Sequence, residues 1–164
     1  KMNFTYSSNK IKAFNEVLYV YDENYSFVEN EIITHNKKDI SFSPNFIGAS
    51  SISYVPVKNL ELSFISKYVS RQYLDNTQNE ERRLNGYFVS NFLAQYSLKF
   101  KKSVMDEIRF QMLLNNIFNT LYENNGYTFS EVYLNADNTK SRADYNYYYP
   151  QAGFNFFFGI GLFF

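Results

Sequence analysis

Cysteine and tryptophan are absent from the 164 residues, proline occurs three times, glycine six times and histidine once. Each shortage excludes something. Without cysteine there is no disulfide framework, no thiolate nucleophile and no cysteine-based metal site. His35 has no second histidine with which to share a zinc ion, and the aspartates are scattered. Net charge is missing too, since sixteen Lys and Arg balance sixteen Asp and Glu. That removes the electrostatic reason for a nucleic-acid partner. No window approaches the run of about 18 apolar residues that a spanning helix needs, and no charged segment precedes an apolar run as in a signal peptide. Neither absence bears on proteins that cross a membrane with strands. The chain opens Lys1-Met2-Asn3-Phe4, without an initiator methionine at position 1, as expected of a processed product or a part of a longer polypeptide.

The excess is aromatic: sixteen Tyr and eighteen Phe. With frequent Ile, Val and Thr this is strand chemistry, and the apolar residues alternate with polar ones at period two. From Phe154 to the end, every even position is apolar: Phe154, Phe156, Phe158, Ile160, Leu162 and Phe164. Glu107, Arg109, Gln111, Leu113 and Asn115 alternate with Ile108, Phe110, Met112 and Leu114, over about nine residues, a membrane-strand length. Phe92, Ala94, Tyr96, Leu98 and Phe100 oppose Asn91, Gln95, Ser97 and Lys99, and Leu60, Leu62, Phe64 and Tyr68 oppose Glu61, Ser63, Lys67 and Arg71. A further strand is expected over 45–55. The first, Met2 to about Tyr19, slips around Ser8-Asn9-Lys10, where a bulge is expected.

The connections fall into two classes. Pro56-Lys58 and Lys101-Val104 are short, whereas 20–44, 72–86 and 117–151 are long and polar or Tyr-rich. Counting back from Phe164 puts both short turns on one side and all three long segments on the other, as in an outer-membrane barrel with short periplasmic turns and longer extracellular loops. The expected fold is all-β, a transmembrane antiparallel β-barrel. Its outer face would be apolar, and its inner face would carry Glu61, Lys67, Arg71, Asn91, Gln95, Lys99, Glu107, Arg109, Gln111 and Asn115, with Arg109 or Lys99 pairing across strands to Glu107. A soluble β-sandwich or small ligand-binding barrel, or one sheet covered by another layer, is the alternative.

The C-terminal strand, Phe156-Phe158-Ile160-Leu162-Phe164 at alternate positions, resembles the outer-membrane signature that the barrel assembly machinery is thought to read. Four further stretches resemble the C-terminal third of a TonB-dependent receptor, especially of the Bacteroidetes type. They are Ser41-Phe42-Ser43-Pro44-Asn45, then 68–77 (Tyr68-Val69-Ser70-Arg71-Gln72-Tyr73-Leu74-Asp75-Asn76-Thr77), then 114–122 (Leu114-Asn115-Asn116-Ile117-Phe118-Asn119-Thr120-Leu121-Tyr122), and finally Tyr149-Pro150-Gln151-Ala152-Gly153-Phe154-Asn155-Phe156. They follow the family's order across most of 41–164. Phe154 stands where many members carry Arg. The resemblance implies a barrel of about 22 strands, of which this chain holds about the last six, with the plug domain outside it.

The implied function is import of a scarce nutrient, a siderophore, vitamin, glycan or peptide, across the outer membrane of a Gram-negative cell, with the long loops extracellular. The implied partners are outer-membrane lipid and lipopolysaccharide, the upstream strands and plug, TonB acting through the plug, and a surface lipoprotein. Six strands fall short of the roughly eight of a small closed barrel, so the rest of the sheet is expected from upstream sequence or from other chains. The rival function is an outer-membrane adhesin or enzyme closed by oligomerisation; a soluble β-rich binding module is a third.

No catalytic, cofactor or metal residues are assigned, and no enzyme activity is expected. His35, in Thr34-His35-Asn36, reads as solvated in a loop. Asp137, Asn138 and Asp144 carry oxygens that suit Ca²⁺, although loop Asp and Asn ordinarily serve turns. The run Glu80-Glu81-Arg82-Arg83 reads as a solvated face or a contact to substrate or lipopolysaccharide head groups. Tyr145, Tyr147, Tyr148 and Tyr149 read either as an interfacial girdle, the favoured reading for 147–149, or as a stacking surface for a ligand. Tyr73, Arg82, Arg83, Tyr145 and Tyr147 are the candidate ligand or loop contacts.

Overall fold

A computed structural model describes residues 1–101 and 104–164, so the expected turn Lys101-Val104 lies partly outside the described residues, at Lys102 and Ser103. Among the described residues every regular element is a strand. In chain order these are β1 (Met2–Tyr6), β2 (Lys10–Tyr21), β3 (Phe27–Asp39), β4 (Phe46–Val57), β5 (Leu60–Val69), β6 (Gln72–Tyr73), β7 (Arg83–Leu84), β8 (Tyr87–Lys99), β9 (Glu107–Asn115), β10 (Glu123–Leu134), β11 (Lys140–Pro150) and β12 (Asn155–Phe163). Six of them form one antiparallel sheet in the order β1-β4-β5-β8-β9-β12. Four form a second, β11-β10-β2-β3, and β6 pairs with β7.

Residues directly opposite in an antiparallel pair share a face, so the register decides what each face carries. One row across the large sheet reads Ile52, Phe64, Phe92, Leu114, Phe156, and the next reads Tyr54, Leu62, Ala94, Met112, Phe158. On the other face Glu61, Gln95 and Gln111 stand side by side, as do Lys99 and Glu107. Gln111 donates to Gln95 at 2.9 Å. Glu107 accepts from Ser97 at 3.0 Å and pairs with Arg109 at 2.7 Å. The ion-pair partner of Glu107 is therefore two residues along its own strand, while the residue that bonds it from across the sheet is Ser97, which stands opposite Arg109.

Among the described residues nothing covers the apolar face: Phe156 is 64% exposed, Phe158 62% and Ile52 60%. The buried hydrophobic cluster, Leu18, Val20 and Val132, lies in the smaller sheet instead. The large sheet is a single layer with two free edges, at β1 and β12, and does not close into a barrel.

The long connections are not irregular loops. Each of 20–44 and 117–151 is mostly hairpin, β2–β3 and β10–β11, and 72–86 contains the small β6–β7 pair. The expected first strand is also two strands. At Ser7–Asn9 the chain exchanges β4 for β3 as its neighbour, while Ser7 N donates to Asn45 O at 2.9 Å and Ile40 N to Asn9 O at 3.1 Å. The pattern slip marks that hand-over between sheets, not a bulge within one strand. The ribbon β1–β4 thus runs on into β2–β3 without losing its pairing.

Candidate functional site

The connections on the long-segment side converge on one assembly, built from the rim of the large sheet upward. Two pairs of sequence blocks make the rim. Phe42 N donates to Tyr73 O at 3.0 Å and Ser41 N to Asn76 Oδ1 at 2.8 Å, which ties 41–45 to 68–77. Asn116, 3% exposed, holds 114–122 to 149–156. Its Nδ2 donates to Thr120 O at 2.9 Å and to Ala152 O at 3.2 Å, its Oδ1 accepts from Thr120 N at 2.9 Å, and its own N donates to Asn91 Oδ1 at 2.9 Å. Asn119 Oδ1 accepts from Phe154 N at 2.9 Å. Both asparagines take the left-handed region, φ 47 and 50, which Asn tolerates better than most residues.

Above the rim the two hairpins lean together. β2–β3 rises from β1–β4 and β10–β11 from β9–β12, with β6–β7 standing between them on β5–β8. They meet through a short parallel bridge, Tyr19, Val20 and Tyr21 beside Glu131, Val132 and Tyr133. Below the bridge β2 and β10 diverge around a fissure of about 390 Å³ lined by Phe14, Glu16, Asp75, Arg82, Phe129 and Ser130, among others. The result is an arch over β6–β7.

Arg82 is its keystone, 2% exposed. Its Nη1 donates to Asp75 at 2.7 Å and Glu16 at 3.1 Å, and its Nη2 to Asp144 and Ser130. Arg142 donates to Glu16 at 2.6 Å and to Asp144 at 2.8 Å, and His35 Nε2 lies 2.9 Å from Glu16. One network therefore joins all three extensions. Burial pushes the Glu16 carboxyl up, but hydrogen bonds from His35, Arg142 and Arg82 outweigh it, and the group is held below its ordinary value. Asp144 is likewise held low: burial works against the charge, and Ser130, Arg142 and Arg82 overcome it. A guanidinium with five fixed donors suits this task where a lysine ammonium would not.

No family model matches this chain, and no curated protein matches it significantly. The site is read from its own geometry.

Of the candidate contact residues, Tyr73 and Arg83 meet through Glu80, which accepts from the Tyr73 hydroxyl at 2.6 Å and pairs with Arg83. Arg82 departs from the reading of 80–83 as a solvated run: Asp75 of its own connection and Glu16 and Asp144 from the two hairpins cover it. His35 is not a solvated loop residue either; it sits in β3, half-buried against Glu16. Asp144 is committed to two arginines and Asp137 to the turn at Thr139.

Tyr145 and Tyr147 belong to a ladder that also includes Phe129, Tyr127 and Tyr149. Tyr127 and Tyr147 stack at 4.8 Å and 11°, Phe129 and Tyr145 at 4.9 Å and 22°. Tyr148 lies on the opposite face, with its hydroxyl 3.5 Å from Glu81 O. Because the ladder rings cover one another's faces, they present edges and hydroxyls outward. Tyr19, Tyr127 and Phe129 were not singled out by sequence. The signal for them is alternation on either side of the polar turns at 22–24 and 135–138, the mark of a hairpin.

Proposed function

We propose that this chain is the C-terminal part of a TonB-dependent outer-membrane receptor, about the last six strands of a barrel of about 22, and that the whole receptor imports a scarce nutrient. The observation that carries the reading is the register of the large sheet. It assembles one uncovered aromatic and aliphatic face and one polar face, with built extensions, among the described residues, at one end of the strands. An exposed apolar face of this extent requires a partner phase; lipid suits it, and in lipid the two free edges require further strands.

In that setting the chain supplies wall, and the arch stands outside the cell. A wall that bulges toward lipid places the chord between β2–β3 and β10–β11 on the lumen side of β6–β7. The ladder face, turned away from Arg82, then looks toward the pore axis, where arriving solute passes. Energy would come through the plug from TonB. No residue of the chain is assigned covalent chemistry.

The chain contributes no cysteine, which makes the test direct. In the full-length protein reconstituted in vesicles, Phe110→Cys should resist a membrane-impermeant maleimide and Gln111→Cys should react with it. Equal labelling defeats the wall assignment. Uptake of the cognate nutrient that persists without TonB defeats the receptor assignment.

A further inference from the structure

The face assigned to lipid is not evenly filled. Toward the arch, the ends of β1, β4, β5 and β8 enclose an apolar groove of about 280 Å³. Its floor holds Gly48 and Ser50, and its walls are the rings of Phe4, Phe46, Tyr68 and Phe88. Phe4 stacks on Phe46 at 6.1 Å and Phe46 packs on Tyr68 at 5.9 Å, so the walls hold one another aside. At the floor Ser66 bonds Ser90 at 2.9 Å. Each hydroxyl thus has a partner, and hydrocarbon can cover the pair at little cost.

The ribbon that forms one side of the groove continues upward as β2–β3, and the base of that hairpin is basic. Lys10, Lys12 and Lys37 share one face there, with Lys38 on the other face opposite Ile11, and the acid among them, Asp39, is bound to Lys10 at 2.8 Å. Further up, Glu16 and His35 are engaged with each other and with arginines. The acids of this hairpin otherwise gather at its tip, Asp22, Glu23, Glu29 and Glu31. A chain with no net charge therefore carries a local positive patch. Lys10 is about 13 Å along the strand from Tyr6, about 10 Å in height at a tilt of about 40°. With the reach of a lysine side chain, that is the head-group layer.

We propose that groove and lysines form one site for an anionic lipid of the outer leaflet, an acyl chain lying between Phe4, Phe46, Tyr68 and Phe88 and its phosphate held by the lysines. The proposal rests on the membrane reading above. Complementarity of charge selects this occupant: a neutral lipid would fill the groove and leave the patch unanswered.

The test is native mass spectrometry on the full-length protein extracted from the membrane fraction, titrated with phosphatidylglycerol and with phosphatidylcholine of the same acyl chains. Wild type should bind phosphatidylglycerol more tightly. The double variant Lys12→Gln, Lys37→Gln, which leaves the Lys10–Asp39 pair intact, should weaken that binding about 25-fold, at about fivefold per lysine. Gly48→Leu, which fills the groove, should weaken it about tenfold. Ser50→Leu carries the same expectation where Gly48→Leu does not fold, and heat-modifiable gel migration reports folding for each. Equal affinity for the two lipids in wild type, or unchanged affinity in the double variant or in the folded groove variants, overturns the site alone. Recovery of the full-length protein from the soluble fraction overturns the site and the membrane reading together.

Discussion

At position 82 one guanidinium meets Glu16, Asp75 and Asp144, and no other cation can take its place, since Arg142 already serves Glu16 and Asp144. Arg82→Met should therefore leave carboxylates short of a partner in a site that is largely dry. Removing one member of a buried ion pair costs about 3–5 kcal/mol. The lower end is expected here, because Asp75 and Asp144 stay 23% and 20% exposed. Hydrogen exchange should show the loss in β2 and β10 while β8 and β9 keep their protection. The same carboxylates set an acid limit. Glu16 and Asp144 have folded values below their ordinary ones, so their contribution is complete above the unfolded values near 4 and is lost as pH falls through the folded values beneath. Exchange protection of the arch should be level from about pH 8 to pH 5 and fall below about pH 4. Glu16→Gln should blunt that fall; an unchanged profile would remove Glu16 from the account.

Elements depend on contacts that side-chain pattern does not announce. β10 crosses β11 at Gly126, where an added Cβ would run into the carbonyl oxygen of Tyr147 and press on Leu74. A backbone atom cannot turn aside as a side chain does, so Gly126→Ala should cost about 1–3 kcal/mol and loosen the hairpin, seen as faster proteolysis between 123 and 150. Asn116 is the corresponding element pin at the rim. Asn116→Ala loses the bonds to Thr120 and Ala152 and places alanine at φ 47, for an expected loss of about 2–3 kcal/mol in thermal or denaturant unfolding. Asn119→Ala, which removes a single bond to Phe154, should cost about half as much.

For the molecule as a whole, the decisive property of the proposed membrane setting is which face of the large sheet would meet lipid. Phe110 and Gln111 are neighbours on opposite faces, opposite Tyr96 and Gln95. In the full-length protein, Phe110→Arg should cost about 2–4 kcal/mol if the residue sits near mid-bilayer, whereas Gln111→Arg should be mild. Unfolding titrations that give the two the same cost would refute the face assignment.

Period-two alternation and turn chemistry are local properties, and they are sufficient to read the all-β class, the strands of the large sheet from about 45 onward and the apolar alternation that ends on Phe164. The positive-φ asparagines at 116 and 119 and their partners Ala152 and Phe154 lie inside two blocks marked out by resemblance, but that the two blocks bond to each other is not written in either. Strand pairing between distant segments is not local. The exchange of neighbours at Ser7–Asn9, the parallel bridge of β2 to β10 and the burial of Arg82 each join residues far apart in sequence, 66 positions for Arg82 and Glu16 and more for Tyr19 and Glu131 in the bridge. In the sequence Arg82 is one of four adjacent charges, and a charge reads as solvated until its counter-ions are known. The fold brings three carboxylates around it, and that meeting alone turns a surface run into a keystone.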